Sequence, residues 1–252
     1  MTTGIKAQRL KLDSGVMISV AAPAEKAPIV VILHEAFGLN GHWDDVVSHV
    51  ASHGFFAVAP DLFQGRVIDY GDMPGAMAAV AACGDDGSVG IIKNVIQWAH
   101  QQPQGVGQPV GLLGFCMGGR LAFIGACELG QQVDVAVCCY GGGIGAEGTT
   151  DKRGRPVPIA RNDIAALSAG LLFIYGNQDA HIPPAEHARI VSKLGEHQRP
   201  FALETYPAGH GFMSDRPAYY HPACAREAWR EIFSHLLRHM EAAPPASTAD
   251  YQ

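Results

Sequence analysis

The sequence predicts an α/β fold in which a mostly parallel central sheet is flanked by helices as a three-layer sandwich. Short apolar runs, each ending in Gly, Pro or Asp, recur along the chain. Such runs are typical of strands that are buried on both faces of a sheet. Amphipathic segments separate the runs, and this alternation of strand and helix predicts parallel strands joined by helical crossovers.

The first element is an exception, because residues 9–23, "RLKLDSGVMISVAAP", alternate around Asp13-Ser14-Gly15 and predict a hairpin. The apolar run at 29–33 then predicts a central strand. Further strands are predicted within "GFFAVAPDLF", "PVGLLGF", "VDVAVCCYGG" and "GLLFIYGNQDA". Helices are predicted at 42–53, 86–102, 118–130, 184–197 and 221–241.

Length and composition predict one domain. With 252 residues, 48% of them hydrophobic, the chain can bury a full core. We expect a single domain over 1–242, and a Pro- and Ala-rich, disordered tail over 243–252. The apolar stripe of the last predicted helix can be buried by the sheet itself, so a monomer is expected.

The charge of the chain and its lack of apolar targeting segments limit the classes of partner that we expect. The formal charge is -6 and no basic run occurs, which argues against a nucleic-acid partner. No stretch approaches the ~18 consecutive apolar residues of a membrane span, and the N-terminus has no apolar core of a signal peptide. The expectation is a cytoplasmic protein without a membrane partner. The 6 cysteines have no CxxC spacing and are expected to be free thiols.

Cys116 lies in a glycine-rich turn between a predicted strand and a predicted helix. In "GLLGFCMGGRLAF", residues 111–123, Gly-x-Cys-x-Gly follows a predicted strand and precedes a predicted helix. This is the context of a nucleophile elbow, in which small residues allow a sharp turn and the central side chain projects above the sheet edge. The helix N-terminus favours a thiolate at Cys116. A buried structural cysteine in a tight packing turn is the alternative.

A thiol nucleophile requires a base and an acid that orients the base. In elbow hydrolases the chain order is nucleophile, acid, base. Asp179 follows the last predicted strand in "FIYGNQDAHIPP", and His210 lies between glycines in "YPAGHGFMSD". Each residue alone is also explained as a turn or loop residue. The coincidence of all three in the required order favours a triad of Cys116, Asp179 and His210.

Glu35 directly follows the apolar run "IVVILH" and is expected at the carboxyl edge of a central strand, where open α/β sheets bind ligands. A carboxylate is costly in such a place unless it is paired. One interpretation is a loop glutamate that accepts hydrogen bonds from nearby backbone N–H groups. The other is that Glu35 meets the thiol of Cys116 and manages its proton.

The chain resembles the dienelactone hydrolases, the carboxymethylenebutenolidase family of the α/β-hydrolase fold. The resemblance runs from "VVILHEAFGLN" through "APDLF", "GLLGFCMGG" and "YGNQDAHIPP" to "GHGF", and "GFCMGG" with "HEAFG" is its most specific part. It implies a Cys, Asp, His triad at Cys116, Asp179 and His210. It also implies that Glu35 holds and activates the resting thiol.

The resemblance extends to groups around the triad. It implies an oxyanion hole made by the backbone N–H groups of Ala36 and Met117. Family members hold a substrate carboxylate with arginines, for which the nearest candidates are Arg216 and Arg66; a solvated or capping arginine is the alternative for each. The aromatic residues Phe37 and Tyr70 are further candidates for the pocket lining, although core packing explains them equally well.

The predicted function is a cysteine-dependent hydrolase that opens a small lactone, such as a dienelactone, through a thioester acyl-enzyme. A carboxylesterase or thioesterase with a different small ester substrate is the alternative. From another class, an inactive ligand-binding or redox-sensing module would also retain the fold. No cofactor is expected, and the absence of HxH and HExxH spacings argues against a metal.

Overall fold

The structure, a computed structural model, describes residues 5–151, 153–161 and 164–240. The predicted tail at 243–252 lies outside the described residues. One eight-stranded sheet runs in the order β1-β2-β4-β3-β5-β6-β7-β8. Its strands are β1 Gln8–Lys11, β2 Met17–Ala21, β3 Ile29–Leu33, β4 Phe56–Pro60, β5 Val110–Phe115, β6 Val135–Cys139, β7 Gly170–Gly176 and β8 Phe201–Tyr206.

The helices lie between these strands. They are α1 Gly41–Ser52, α2 Met73–Cys83, α3 Asp85–Gln101, α4 Met117–Leu129, α5 Pro158–Arg161, α6 Pro184–Glu196 and α7 Pro222–Met240, with short 3-10 turns at Gly130–Gln132 and Ile164–Ala166. The helices predicted at 42–53, 86–102, 118–130, 184–197 and 221–241 correspond to α1, α3, α4, α6 and α7 to within one or two residues. The sequence did not predict α2, α5 or β8.

The pairing of the strands confirms the predicted architecture. The pair β1 and β2 is the predicted antiparallel hairpin, and β2 also pairs antiparallel with β4. Every other neighbouring pair, from β4 through β8, is parallel. Because parallel strands end at the same edge of a sheet, the loops that follow β3, β5, β6, β7 and β8 meet at one edge.

The central strand β5 shows how the layers are arranged. Side chains alternate between the two faces of a strand. On one face, Gly111 leaves room for Leu236 of α7, and Phe115 packs against Trp229 of the same helix. On the other face, Leu112 packs against α4 at Gly125. The sheet is therefore sandwiched between α7 on one side and α4 on the other, with α1 beside α7 and α3 beside α4.

Glycines bring α4 close to the sheet. A Cβ at Gly118, in the first turn of α4, would collide with the carbonyl oxygen of Leu33 at the end of β3, and one at Gly114 would collide with the carbonyl of Gly118. The chain therefore turns sharply between β5 and α4 and places the start of α4 against the end of β3. In the part of the chain that the structure describes, no helix is both long and apolar enough to cross a bilayer.

This close approach predicts the effect of an added methyl group. We expect Gly118→Ala to lower the free energy of unfolding by at least about 2 kcal/mol, because the colliding atom is backbone and cannot rotate away. Gly90→Ala is the control: Gly90 lies inside α3 with open space around its Cβ position, so alanine should stabilise the protein by about 0.5–1 kcal/mol. Urea unfolding of both variants measures the difference. Equal free energies would contradict the inferred approach.

Candidate active site

Cys116 occupies the corner between β5 and α4 in a strained conformation. Its backbone has φ 54° and ψ −111°, a region that non-glycine residues rarely adopt. The backbone N–H of Cys116 donates a 3.0 Å hydrogen bond to the carbonyl of Cys139 at the end of β6. The corner is thus tied to the neighbouring strand, and the cysteine side chain projects from the carboxyl edge of the sheet, as the Gly-x-Cys-x-Gly pattern predicts.

The structure brings together the three residues predicted to form a triad. His210, in the loop after β8, has its Nε2 3.2 Å from the Sγ of Cys116. Its Nδ1 lies 2.7 Å from Oδ2 of Asp179, in the loop after β7. The other oxygen of Asp179 accepts a 2.7 Å hydrogen bond from the backbone N–H of His181. The carboxylate is therefore held at both oxygens, and it orients the imidazole towards the sulfur.

Electrostatics favour the protonated form of His210. Burial opposes protonation of His210, but the charge of Cys116 and the hydrogen bond with Asp179 outweigh burial and raise the pKa of His210 to about 10. Burial likewise disfavours the Asp179 carboxylate, yet the hydrogen bond and the charge from His210 lower its pKa. The arrangement favours an imidazolium within hydrogen-bond distance of the sulfur, a setting that suits a cysteine nucleophile.

Glu35 lies at the predicted place but with a different partner. Its side chain is buried at the end of β3, and Oε2 accepts a 2.9 Å hydrogen bond from Nη2 of Arg216. Oε1 is buried and has no hydrogen-bond partner among the described residues. Burial raises the pKa of Glu35 even though Arg216, His210 and His42 oppose the shift. The thiol of Cys116 is directed to His210, so the predicted contact between Glu35 and the thiol is not formed in this state.

Arg216 is enclosed by three aromatic rings at the mouth of the site. Its guanidinium carbon lies 4.9 Å from the ring centre of Phe37, 5.3 Å from that of Tyr70 and 4.6 Å from that of Tyr219. Such faces attract a cation and are worth about 0.5–1 kcal/mol each when partly exposed. Three of the four predicted substrate residues, Arg216, Phe37 and Tyr70, therefore form one cluster beside Glu35.

Hydrogen bonds link the loops around this cluster. The hydroxyl of Tyr70 donates a 2.7 Å hydrogen bond to Asp215 and accepts one of 3.0 Å from Asn40 at the start of α1. The Nε of Arg216 donates to the hydroxyl of Ser214 at 3.2 Å. The loop before α2 and the loop after His210 are therefore joined across the mouth of the site.

Arg66, the other predicted carboxylate anchor, is not part of this cluster. Its side chain is exposed, and its charge acts on the thiol of Cys83 rather than on Glu35. The backbone carbonyl of Arg66 packs against Gly38 in the Glu35 loop. The structure therefore does not bring the Arg66 side chain together with Arg216 and Glu35.

The two predicted oxyanion donors have free backbone N–H groups. Met117 is the first residue of α4, where an N–H has no acceptor inside the helix. Within the described ranges, neither its N–H nor that of Ala36 donates a hydrogen bond to the protein. The contact of Gly118 with Leu33 and His34 keeps these two segments adjacent. Among the described residues, no group of three or more His, Cys, Asp or Glu side chains could hold a metal ion.

Two residues of the site were missed by the sequence reasoning. Tyr140 directly follows β6 and packs edge-on against His210 with ring centres 5.4 Å apart. Its position after an apolar run is the same signal that singled out Glu35, so it could have been found. Tyr219 covers Arg216 from a loop without regular structure, and no pattern in the sequence points to that contact.

The sheet order, the strained corner and the loops that carry the three candidate residues define an α/β-hydrolase. The family comparison is more specific: the model of the dienelactone hydrolase family matches residues 15–240. The chain belongs to the dienelactone hydrolase family, whose members are hydrolases acting on ester bonds. This confirms the resemblance seen in the sequence.

Individual relatives agree with this assignment. A carboxymethylenebutenolidase of Pseudomonas putida is 31% identical over 209 residues, which are 80% of this chain and 82% of the relative. A Synechocystis protein assigned the same activity is 31% identical over 214 residues, 81% of this chain and 83% of its own. The crystal structure of a Klebsiella pneumoniae chain, assigned as a dienelactone hydrolase, has a TM-score of 0.83 at 26% identity and covers 93% of this chain and 99% of its own.

The raised pKa of His210 predicts an unusual titration. Because the pKa of His210 is raised from 6.5 to about 10, protonated His210 contributes stability that is complete below pH 6.5 and is lost as the pH rises through about 10. We expect the ring protons of His210 to titrate near pH 10 in an NMR experiment. In Cys116→Ala the midpoint should move to lower pH, since the interaction of His210 with the sulfur is lost. A midpoint near 6.5 in both proteins would contradict the raised pKa of His210.

Proposed function

We propose that this protein hydrolyses a small lactone or activated ester through a thioester acyl-enzyme, with Cys116 as nucleophile, His210 as base and acid, and Asp179 as the group that orients His210. The observation that carries this proposal is the continuous contact from Cys116 Sγ through the imidazole of His210 to the carboxylate of Asp179. A purely structural cysteine would not require an imidazole that is itself oriented by a buried acid.

The chemistry follows from this geometry. The thiolate of Cys116 attacks the ester carbonyl, an S–C bond forms, and the carbonyl oxygen takes the negative charge. The N–H groups of Ala36 and Met117 stabilise that oxygen; losing one such donor costs about 3 kcal/mol in the barrier. The intermediate then collapses by breaking the C–O bond, which gives a thioester and an alkoxide or enolate.

Deacylation completes the cycle. The leaving oxygen of an opened lactone remains attached to the acyl chain, and it takes a proton from His210 or from water. Water then attacks the thioester, the C–S bond breaks, and the thiolate of Cys116 returns beside the imidazolium of His210. A thiolate is a better leaving group than an amide nitrogen, so the intermediate formed from an amide would return to reactants. This favours esters and lactones over peptides as substrates.

The position of Arg216 favours the hypothesis that the substrate carries a carboxylate. It is the one cation in the described part of the site mouth that combines partial burial, a position beside Glu35 and a pocket of aromatic rings. A substrate carboxylate would compete with Glu35 for the guanidinium. The carboxylate of Glu35, once released, could accept the proton of a resting Cys116 thiol, and the thiolate would then form when the substrate is bound.

The alternative, a carboxylesterase or thioesterase for a different small ester, is favoured by a specific observation. Arg66 is outside the site, so only Arg216 among the predicted anchors can hold an anion, and it is already paired with Glu35. An uncharged ester would leave this ion pair in place.

The first test uses the nucleophile. We expect Cys116→Ala to reduce ring opening of a dienelactone, and cleavage of an aryl ester, by at least about 10³-fold, because the covalent route is lost. Cys224→Ala, which removes a buried thiol in α7, serves as the control and should retain activity. Mass spectrometry after rapid acid quenching should find the acyl group on Cys116. Full activity of Cys116→Ala would refute the proposed mechanism.

The second test separates the substrate classes. We expect Arg216→Gln to reduce kcat/KM for a lactone with a carboxylate by about 10- to 100-fold relative to that for an uncharged aryl ester, because a charge-assisted contact is lost. Arg66→Gln is the matched control and should leave this ratio unchanged. A ratio that does not move in Arg216→Gln would favour the esterase alternative.

A further inference from the structure

Tyr140 is a buried residue in the site to which the proposed mechanism assigns no role. It follows β6 directly, is 0% exposed and adopts φ 38°, the left-handed region that favours glycine. Its backbone N–H donates a 2.7 Å hydrogen bond to the carbonyl of Ile174. The carbonyl of the preceding residue, Cys139, accepts a hydrogen bond from the backbone N–H of Cys116. The strained conformations of Tyr140 and Cys116 are therefore coupled through one short segment, and strain of this kind concentrates at functional sites.

The hydroxyl of Tyr140 and Oε1 of Glu35 are both buried, and neither has a hydrogen-bond partner among the described residues. A buried polar group without a partner costs about 1–3 kcal/mol. The two atoms face the same space, since the ring of Tyr140 packs on His210 and the hydroxyl interacts with the charges of Glu35 and Cys116. A donor and an acceptor thus lie close together beside the thiol.

The hydroxyl of Tyr140 can act only as a donor towards a carboxylate. Burial, followed by the charges of Glu35 and Cys139, raises the pKa of Tyr140 well above its usual value of 10.0, so the hydroxyl keeps its proton. Arg216 is already engaged with the other oxygen of Glu35. For Oε1, Tyr140 is therefore the available donor in the described part of the site.

We propose that Tyr140 is a positioning residue whose hydroxyl donates a hydrogen bond to Oε1 of Glu35 and keeps that carboxylate ionised when a substrate draws Arg216 away. Without Tyr140, a buried Glu35 that lost Arg216 would take a proton from solvent and could not accept one from the thiol. With Tyr140, the S–H bond of Cys116 breaks, an O–H bond forms on Glu35, and the thiolate remains. This inference rests on the proposed function and adds a residue to it.

The test is Tyr140→Phe, which keeps the ring against His210 and removes only the hydroxyl. We expect the midpoint of Glu35 in a carboxyl carbon-13 NMR titration to rise by about one to two pH units, since a hydrogen bond to a charged acceptor is lost. The signal is assigned by its absence in Glu35→Gln. Tyr206→Phe is the control: it removes a tyrosine hydroxyl that faces Glu204, Glu227 and Glu231 outside the site, and it should leave the midpoint unchanged.

The pH dependence of kcat/KM is a second measurement, and a purely structural role of Tyr140 would not change it. In Tyr140→Phe the acidic limb of the kcat/KM profile for a carboxylate-bearing lactone should shift to higher pH by the same amount, while the limiting rate at higher pH is retained. In the Glu35→Gln background, Tyr140→Phe should cause no further shift, because the two residues act on one group.

The outcomes separate this inference from the proposed function. An unchanged Glu35 midpoint in Tyr140→Phe overturns the inference, even when Cys116→Ala shows that the cysteine is the nucleophile. An equal loss of rate at every pH, with no shift of the limb, also overturns it. The Glu35 titration requires no turnover, so it tests the contact even if Cys116→Ala proves active.

Discussion

The close approach of α4 to the end of β3 is the constraint on which the site depends. Gly114 and Gly118 allow the backbone of the corner to contact neighbouring carbonyls directly, which no larger residue could do without displacing backbone. The same approach holds Cys116 in its strained conformation and brings the N–H of Met117 beside the Glu35 loop. Helix, strand and loop are thereby fixed relative to each other before any substrate is bound, which is what preorganised stabilisation of charge requires.

Around this corner the ionisable side chains are arranged in two groups. Cys116, His210 and Asp179 form one, and Glu35 with Arg216 forms the other. Isolated charges at such burial would be costly, and each charge here has an opposite partner in direct contact. In the proposed mechanism, a substrate carboxylate draws Arg216 away and the released Glu35 then acts on the thiol of Cys116. The two groups would therefore be coupled, with one sensing the substrate and the other making the bond.

The sequence predicted what depends on local pattern and missed what depends on tertiary contact. The strands β3 and β5 and the Gly-x-Cys-x-Gly turn are predictable because their local sequences, continuous apolar runs and closely spaced glycines, favour these conformations. In contrast, β8 is half-exposed at the sheet edge, so its sequence "FALETY" lacks a continuous apolar run. The helix α2 is rich in Ala and begins with Met-Pro-Gly, which obscures its period. Long, flexible arginines are harder still, because the sequence offers both Arg216 and Arg66 as candidates and their side-chain contacts depend on the fold.

The hydrogen bond between Tyr70 and Asp215 joins two loops at the rim of the site. The reactive groups follow strands, where the sheet dictates their spacing, whereas the two loops of the rim are joined by a contact between side chains. Changing the rim side chains would reshape the entrance, whereas the backbone between β4 and α2 also supports the Glu35 loop, because the N–H of Ile68 donates a hydrogen bond to the carbonyl of Phe37. Selection on such a scaffold can exchange one substrate for another through the rim side chains, while the chemical step is inherited unaltered.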